Sequence, residues 1–560
     1  MWANVLNFTP SQTENNTSEA EATLPPAQPM RASQKTSAPA WFHLIIPSVA
    51  DLIFVVLLFS LAYGSLAQRL LSDADIGWHI RSGQQIVRAH AAPLSDSFSS
   101  TMGGKPWYAW EWLYDLAIGI IYSSVGLNGV VFLSALIITL TFSYLFRLLL
   151  VRGASLPIAV VFVLLPASAS TIHLLARPHL VSWLLAVIWL QILDSCEADS
   201  IARGRIRSMV FWLPALMLLW VNLHGGFLMG LVLLGIYLLA AGIRFFSQGD
   251  GAPRELTGKW AKTLGAVTGL CALASFANPY GYKLHVHVYQ YLSNRFLMDH
   301  IDEFLSPNFH GLPQKCFALL LLLSMLTLAI NRRPPRSSHL LVVLFAAYAG
   351  LYASRNIPIA SILLALVIAP LLSQVIAELA GRNEISSRLR QCLSRLQSFS
   401  ERVGSMEIQF RGHLWPAIAL LLGFWVCLHH GWLGSRQIMD AQFDAKRFPV
   451  QAAEVLVQQP VHEPVFSPDL WGGYLIYRLY PQLKVVVDDR HDLYGEEFLK
   501  DYLKTVRVEP GWEKLLNENH VNWILIPVGS SLSSILKVKP EWKIVHQDEV
   551  AILFYRAGER

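Results

Sequence analysis

The 560-residue chain is short of charge. Asp, Glu, Lys and Arg make up 15% of it, hydrophobic residues make up 53%, and the mean hydropathy is +0.40. An ordinary soluble domain carries about 25% charged residues, so a soluble enzyme, a disordered chain and a coiled coil are all excluded. The charges are also unevenly spread, with 33 of the 83 in residues 434–560. Cysteine is scarce. The five (Cys196, Cys271, Cys316, Cys392 and Cys427) are scattered and form no CxxC pair, which excludes a disulfide framework and a zinc knuckle. The net charge is only +5 and no basic cluster with interleaved aromatics occurs, so nothing points to nucleic acid. GxGxxG, Walker, GxSxG, HExxH and kinase-type patterns are missing too, leaving nucleotide binding and the common hydrolase chemistries unsupported. What remains is a polytopic membrane protein with a polar tail.

A hydrocarbon core about 30 Å thick takes about 20 apolar residues per helix. Eleven runs qualify, at 44–66, 129–149, 156–174, 179–195, 209–223, 226–246, 263–278, 316–331, 338–353, 357–378 and 413–433. A twelfth, 112–125, is short and starts among Trp107, Trp110 and Trp112, as an interfacial helix would. The expected fold is mainly α: a polytopic helical membrane bundle of 11–12 spans over 41–433, with a long first outer loop at 67–128. A C-terminal soluble α/β domain is expected over 434–560, and a disordered cytoplasmic N-terminus over 1–40. One alternating set of loops, running from Arg147 to Arg411, holds eighteen Lys and Arg. Positive charge marks the cytoplasmic side, so loops 175–178 and 279–315 and the tail face outward. Segment 383–411 alternates Arg with apolar residues, and reads either as an amphipathic helix on the cytoplasmic surface or as a solvated connector. In the tail, apolar runs at 464–466, 483–487, 523–528, 543–546 and 550–555 enclose helical patterns at 470–480 and 496–506. That alternation predicts a mostly parallel sheet ending in a hairpin.

Chemistry-bearing side chains collect in the outward loops. Asp73, Asp75 and His79 lie just after the first span, and Asp75 and His79 share a face if the segment is helical. A carboxylate beside an imidazole can bind a divalent cation or act as a general base; the plainer alternative is that Asp73 caps a helix and His79 faces water. Glu111 sits between two tryptophans, an environment that favours its protonated form or a cation. Arg177 and His179 break an apolar run, and an arginine there can clamp a phosphate or snorkel to headgroups. His224, in an Asn-Leu-His-Gly-Gly turn, is a ligand or proton carrier, or merely structural. Loop 279–315 offers Asp302 and Glu303; His285 and His287 diverge by about 200° on a helix and suit a shared metal poorly. Arg355 supplies another outward cation. In the tail, Asp488 to Asp492 follow a predicted strand, where a ligand site or a salt-bridge turn can form.

The Asp73-Ala74-Asp75 motif after the first span, the interfacial 112–125 stretch, the bundle and the outer tail together resemble the C-type (GT-C) glycosyltransferase superfamily. That group includes protein mannosyltransferases, oligosaccharyltransferases and lipid A aminoarabinose transferases. The chain departs from the pattern at Arg177-Pro178-His179, which is basic where many relatives carry a second acid. The resemblance implies an integral membrane transferase that takes a sugar from a polyprenyl-phosphate donor in the bilayer. The acceptor would be a glycan, lipid or protein on the outer side of a bacterial inner membrane, and the reaction an inverting displacement. Asp75, or else Asp73, would be the general base. Arg177 and Arg355 would face the lipid phosphate, and His79, His179, His224 and Asp302 the substrates. Glu111, Glu303 or Asp73 would hold Mg²⁺, Mn²⁺ or Zn²⁺, although nothing in the sequence requires a metal. The competing classes are a transporter or flippase, and a non-catalytic envelope assembly protein.

Overall fold

A computed structural model describes residues 45–64, 66–381, 386–409, 413–459 and 463–557. The expected disordered tract 1–40 and the ends of segment 383–411 lie outside them. Helix α1 (Val49–Ala62) opens on a capping box: the Ser48 hydroxyl accepts from the Asp51 amide, and the Asp51 carboxylate accepts from the Ser48 amide. Short α2 (Leu66–Leu70) leads to α3 (Asp75–Ala89), whose buried face carries Asp75, Gly77, His79 and Gly83. Helix α4 (Trp112–Val151) joins the expected interfacial stretch to the following span in 40 residues. Gly126, at φ 67° and ψ −160°, breaks the helical path between the two, a conformation glycine adopts readily.

Then follow α5 (Leu156–Ala169), α6 (His179–Arg203), α7 (Leu213–Leu223), α8 (Phe227–Ser247) and α9 (Ala252–Ala274). Next come α10 (Tyr282–Ser293), α11 (Arg295–His300), α12 (Leu312–Ile330), α13 (Ser337–Tyr352), α14 (Ile357–Ala380), α15 (Ser387–Gln409) and α16 (Leu414–Leu428). Six of the described helical segments are long and apolar enough to cross a membrane: α4, α5 with its 3-10 extension, α6, α8, α12, and α14 with the turn before it. Four apolar stretches are shorter, namely α1, α7 with the turn before it, α13 and α16. Helix α9 takes up most of the expected span 263–278, ending at Ala274, but begins with the charged Arg254, Glu255, Lys259 and Lys262. The described part of segment 383–411 forms α15, where Glu407 accepts from the Val49 and Ala50 amides at 2.7 and 3.0 Å and so ties the helix to the start of α1. Charges inside α6 are matched: Asp194 meets Arg152 at 3.1 Å, Arg336 at 3.0 Å and His339 at 2.7 Å. This cluster lies about 22 Å along α6 from His179.

The C-terminal part carries the sheets. A two-residue hairpin of β1 (Trp432–Leu433) and β2 (Arg436–Gln437) precedes α17 (Val450–Gln458), β3 (Val465–Phe466), α18 (Asp469–Leu479), α19 (His491–Arg507) and α20 (Glu513–Glu518). After them come β4 (Trp523–Pro527), α21 (Ser531–Leu536), β5 (Trp542–Gln547) and β6 (Ala551–Arg556). The main sheet has the order β3-β4-β6-β5. Only β3–β4 is parallel, because the expected β5–β6 hairpin inserts β6 against β4, and both its pairings are antiparallel. The sheet is therefore mixed rather than mostly parallel. The run 483–487 does not form a strand of it. Val485 instead bridges Val465 on one side and Ser99 of the first outer loop on the other. The Ser100 amide donates to the Val485 carbonyl at 2.9 Å, and the Thr101 hydroxyl to the Val486 carbonyl at 2.7 Å, so the loop caps the edge of the sheet.

Helix α3 is clasped between bundle and tail by glycines. A β-carbon on Gly83 would strike the Asp115 backbone and Gly119 of α4, and one on Gly77 would strike Gly473 of α18. Close backbone approach of this kind requires glycine. One apolar core runs from the bundle through Phe98, Trp107 and Tyr114 into Trp471 and Tyr474, and a second fills the tail around Phe466, Ile524 and Phe554.

Candidate functional site

The acids expected after the first span sit at the start of α3. The Asp75 amide donates to the Asp73 carboxylate at 3.0 Å, and this local turn sets both carboxylates on the same side. Arg177, in the turn before α6, ion-pairs with both: its Nη1 lies 2.9 Å from Asp73 Oδ2, and its Nη2 contacts Asp75 Oδ2. The third acid comes from the tail. Ligand oxygens of Asp73, Asp75 and Asp489 lie within 4.8 Å of one another. Asp75 Oδ1 and Asp489 Oδ1 are buried with no hydrogen-bond partner among the described residues. Burial and the Asp73 charge push the Asp489 carboxyl up to about 7. Three converging carboxylates, two of them with a buried orphan oxygen, fit a hard divalent cation.

Asp489 is placed by its neighbour Arg490, which is buried in the seam between tail and loop. Its guanidinium forms two 2.8 Å bonds to Asp488, meets Asp96 of the outer loop at 2.8 Å, and lies 4.6 Å from the Trp107 ring centroid and 5.3 Å from that of Phe98. Burial alone would oppose its charge, but the two carboxylates raise its pKa further.

Beside this centre stands Glu111, at the start of α4. Its carboxylate faces His79 Nε2 at 3.8 Å and His224 Nε2 at 3.7 Å. His79 Nδ1 is 2.6 Å from Asp115, one turn along α4. His224 Nδ1 accepts from the Gly226 amide at 2.9 Å and lies 2.8 Å from the Ser182 hydroxyl. Burial, then the charge of Asp115, push the Glu111 carboxyl up to about 8. Burial and Arg177 hold His79 well below the usual histidine range, and burial with Arg355 and Arg177 holds His224 at about 3, so both rings are neutral at neutral pH.

Glu303 pairs with Arg355 at 3.2 Å, and the Arg355 guanidinium lies 4.5 Å from the Phe304 ring centroid. Burial opposes the Glu303 charge, but Arg355 and Arg177 outweigh it and hold the carboxyl below its ordinary range. Asp302 is exposed at the start of the short 302–304 turn. His179, opening α6, bonds through Nε2 to the His173 carbonyl at 2.9 Å. His285 and His287 do diverge: His285 bonds to Ser275 at 2.9 Å, and His287 to Asp492 of the tail at 2.9 Å. The structure thus brings Asp73, Asp75, Arg177 and Asp489 into one group, and Glu111, His79 and His224 into an adjacent one. Among the described residues the acids spaced for a metal are the three aspartates, whereas Glu111 faces imidazoles and Glu303 an arginine. Sequence reasoning missed Asp115 and Asp96; the only signal for Asp115 was a lone acid near the head of an apolar run.

No family model and no curated protein sequence matches the chain. Solved structures do. The oligosaccharyltransferase of Archaeoglobus fulgidus in its apo form aligns over 87% of this chain and 70% of its own, at 12% identity and a TM-score of 0.53. The same archaeal enzyme, AglB, in complex with an inhibitory peptide and a dolichol-phosphate aligns over 87% and 69%, at 12% identity and a TM-score of 0.52. ArnT from Cupriavidus metallidurans bound to undecaprenyl phosphate aligns over 90% and 97%, at 15% identity and a TM-score of 0.49. The likeness to the archaeal enzyme gives this chain a GT-C-like fold, as the resemblance led us to expect. With its six long apolar helices, the chain is an integral membrane protein.

Proposed function

We propose that the chain is a membrane glycosyltransferase that moves a sugar from a polyprenyl-phosphate carrier to an acceptor on the outer side of a bacterial inner membrane. The observation that carries the reading is the convergence of Asp73, Asp75 and Asp489 on Arg177, with Glu111 alongside, where a GT-C-like bundle meets its tail. An AglB structure holds dolichol-phosphate, a lipid of the same chemical class. The reaction is a displacement at the anomeric carbon with inversion. The departing lipid phosphate gains a negative charge, and Arg177 and Arg355 supply the complementary cations. Asp75, with Asp73 next, is the base expected from the sequence. Arg177 is ion-paired with both in this structure. Asp73, Asp75 and Asp489 are the residues that would hold a divalent cation, and their oxygen-only donor set suits Mg²⁺ or Mn²⁺ better than Zn²⁺. Such an ion would add positive charge beside the phosphate.

Undecaprenyl phosphate is the probe for this reading. The full chain in nanodiscs should bind it, and R177A and R355A should each weaken binding about tenfold or more, as loss of a charged hydrogen bond does. D75N should still bind the lipid but lose transfer. A wild-type chain that neither binds the lipid nor releases it from any sugar-loaded form would end the proposal.

A further inference from the structure

We infer that Glu111 is the group that takes the acceptor's proton, held for that task by an Asp115–His79 pair. The inference rests on the glycosyltransferase reading and names a catalytic residue within it. Asp73 and Asp75 are both engaged by the Arg177 guanidinium. Glu111 differs, because among the described residues it is ion-paired with no lysine or arginine and meets two imidazoles. Its side chain keeps 13% exposure, whereas those of His79 and Asp115 behind it keep 1% and 0%. An acceptor therefore reaches Glu111 and not the pair.

The histidine geometry is specific. His224 spends Nδ1 on the Gly226 amide, so the neutral ring presents Nε2–H to Glu111. His79 spends Nδ1 on Asp115, and its buried Nε2 has no hydrogen-bond partner other than what Glu111 can offer across 3.8 Å. With Nδ1–H donated to the Asp115 carboxylate, Nε2 of the neutral ring carries a lone pair and can accept from the Glu111 carboxylic acid once the contact tightens around substrate. Asp115 and His79 are positioning residues, fixed by the Gly83–Gly119 approach of α3 to α4. The charged and titratable groups around Glu111 are His79 from α3, Asp115 on α4, His224 after α7, Arg177 before α6, Arg355 before α14 and Asp492 from the tail. Burial and Asp115 outweigh the arginines, which gives the carboxylate a basicity near working pH.

In the step, the acceptor oxygen forms a bond to the anomeric carbon. The bond from that carbon to the phosphate oxygen breaks, and its electron pair leaves with the lipid phosphate, which becomes a dianion. The hydroxyl proton passes to Glu111, which becomes neutral, so total charge is unchanged.

The test uses the full chain in nanodiscs, a panel of undecaprenyl-phosphate hexoses and pentoses, and envelope membranes as acceptor, reading release of undecaprenyl phosphate. For the wild type, kcat should rise with pH through about 8, as Glu111 loses its proton. E111Q should lower kcat about 10²- to 10⁴-fold and erase that limb while undecaprenyl phosphate still binds. D115N should move the limb to lower pH, which a purely structural role would not do. Without substrate, infrared spectroscopy should show a carboxylic-acid band that titrates near pH 8, disappears in E111Q and shifts downward in D115N. Full activity in E111Q, or a limb and band indifferent to both variants, overturns the inference. If D75N erases the limb and E111Q does not, the inference fails and the transferase reading stands. If the wild type binds and releases no undecaprenyl phosphate, both fall together.

Discussion

Arg490 is buried, and its charge is matched by Asp488, Asp96 and the surrounding rings. Replacing it with methionine keeps much of the volume but strands two buried carboxylates. R490M should destabilise the protein by about 3–5 kcal/mol, the range for breaking a buried pair from one side, read as a lower melting temperature. It should also loosen Asp489 and weaken Mn²⁺ binding measured by electron paramagnetic resonance. The tail motif was legible in the sequence as two alternatives, a ligand site or a salt-bridge turn, and the residues divide between them: Asp488 and Arg490 form the bridge, while Asp489 faces the aspartates of the loop. The proximity of Asp489 to Asp73 was not legible, because residues over four hundred positions apart leave no periodic trace of their contact. His79 shows the same limit. Its place on the Asp75 face of a helix followed from spacing, but its partner Asp115 lies 36 residues further on.

Among the elements, α3 does most to place the site, and it is held by absent side chains. G83V should force α3 away from α4, lowering the melting temperature by an amount in the ~1–3 kcal/mol range of overpacked contacts. It should also open the His79–Asp115 bond and so displace the pH limb assigned to Glu111. Gly473 packs against the Ala74 backbone in the same manner, and G473V should disturb Asp75 more than Glu111, seen as weaker Mn²⁺ binding with an unshifted infrared band. Elements set by local pattern were readable from sequence: the apolar helices, the break between 112–125 and the following span at Gly126, and four of the five expected strand runs. The fifth, 483–487, has the apolar character of a strand but spends its hydrogen bonds on both β3 and the outer loop. Strand composition could not say that a loop from the first fifth of the chain would cap the sheet.

At the scale of the whole molecule, the loop and the tail form one body. The Arg81 side chain donates to the Tyr477 carbonyl at 3.0 Å, the Gln85 amide to the Tyr480 hydroxyl at 2.8 Å, and Val485 accepts from Ser100 at 2.9 Å. They must therefore share one side of the membrane. Cysteines introduced at the exposed Lys105 and Lys537 should both react with a membrane-impermeant maleimide from that side, while the native exposed Cys392 on α15 should react only from the other. Labelling of positions 105 and 537 from opposite sides would contradict the architecture. The seam between Arg490 and Asp96 also bears on how the protein is made. A nascent chain presents Asp73, Asp75 and Glu111 early, but Asp489 emerges only after every long apolar helix has been made. Until the tail is made, the early loop has neither its sheet edge nor its third aspartate. A chain that stops short would leave the bundle with Asp73 and Asp75 lacking the aspartate that the tail brings to them.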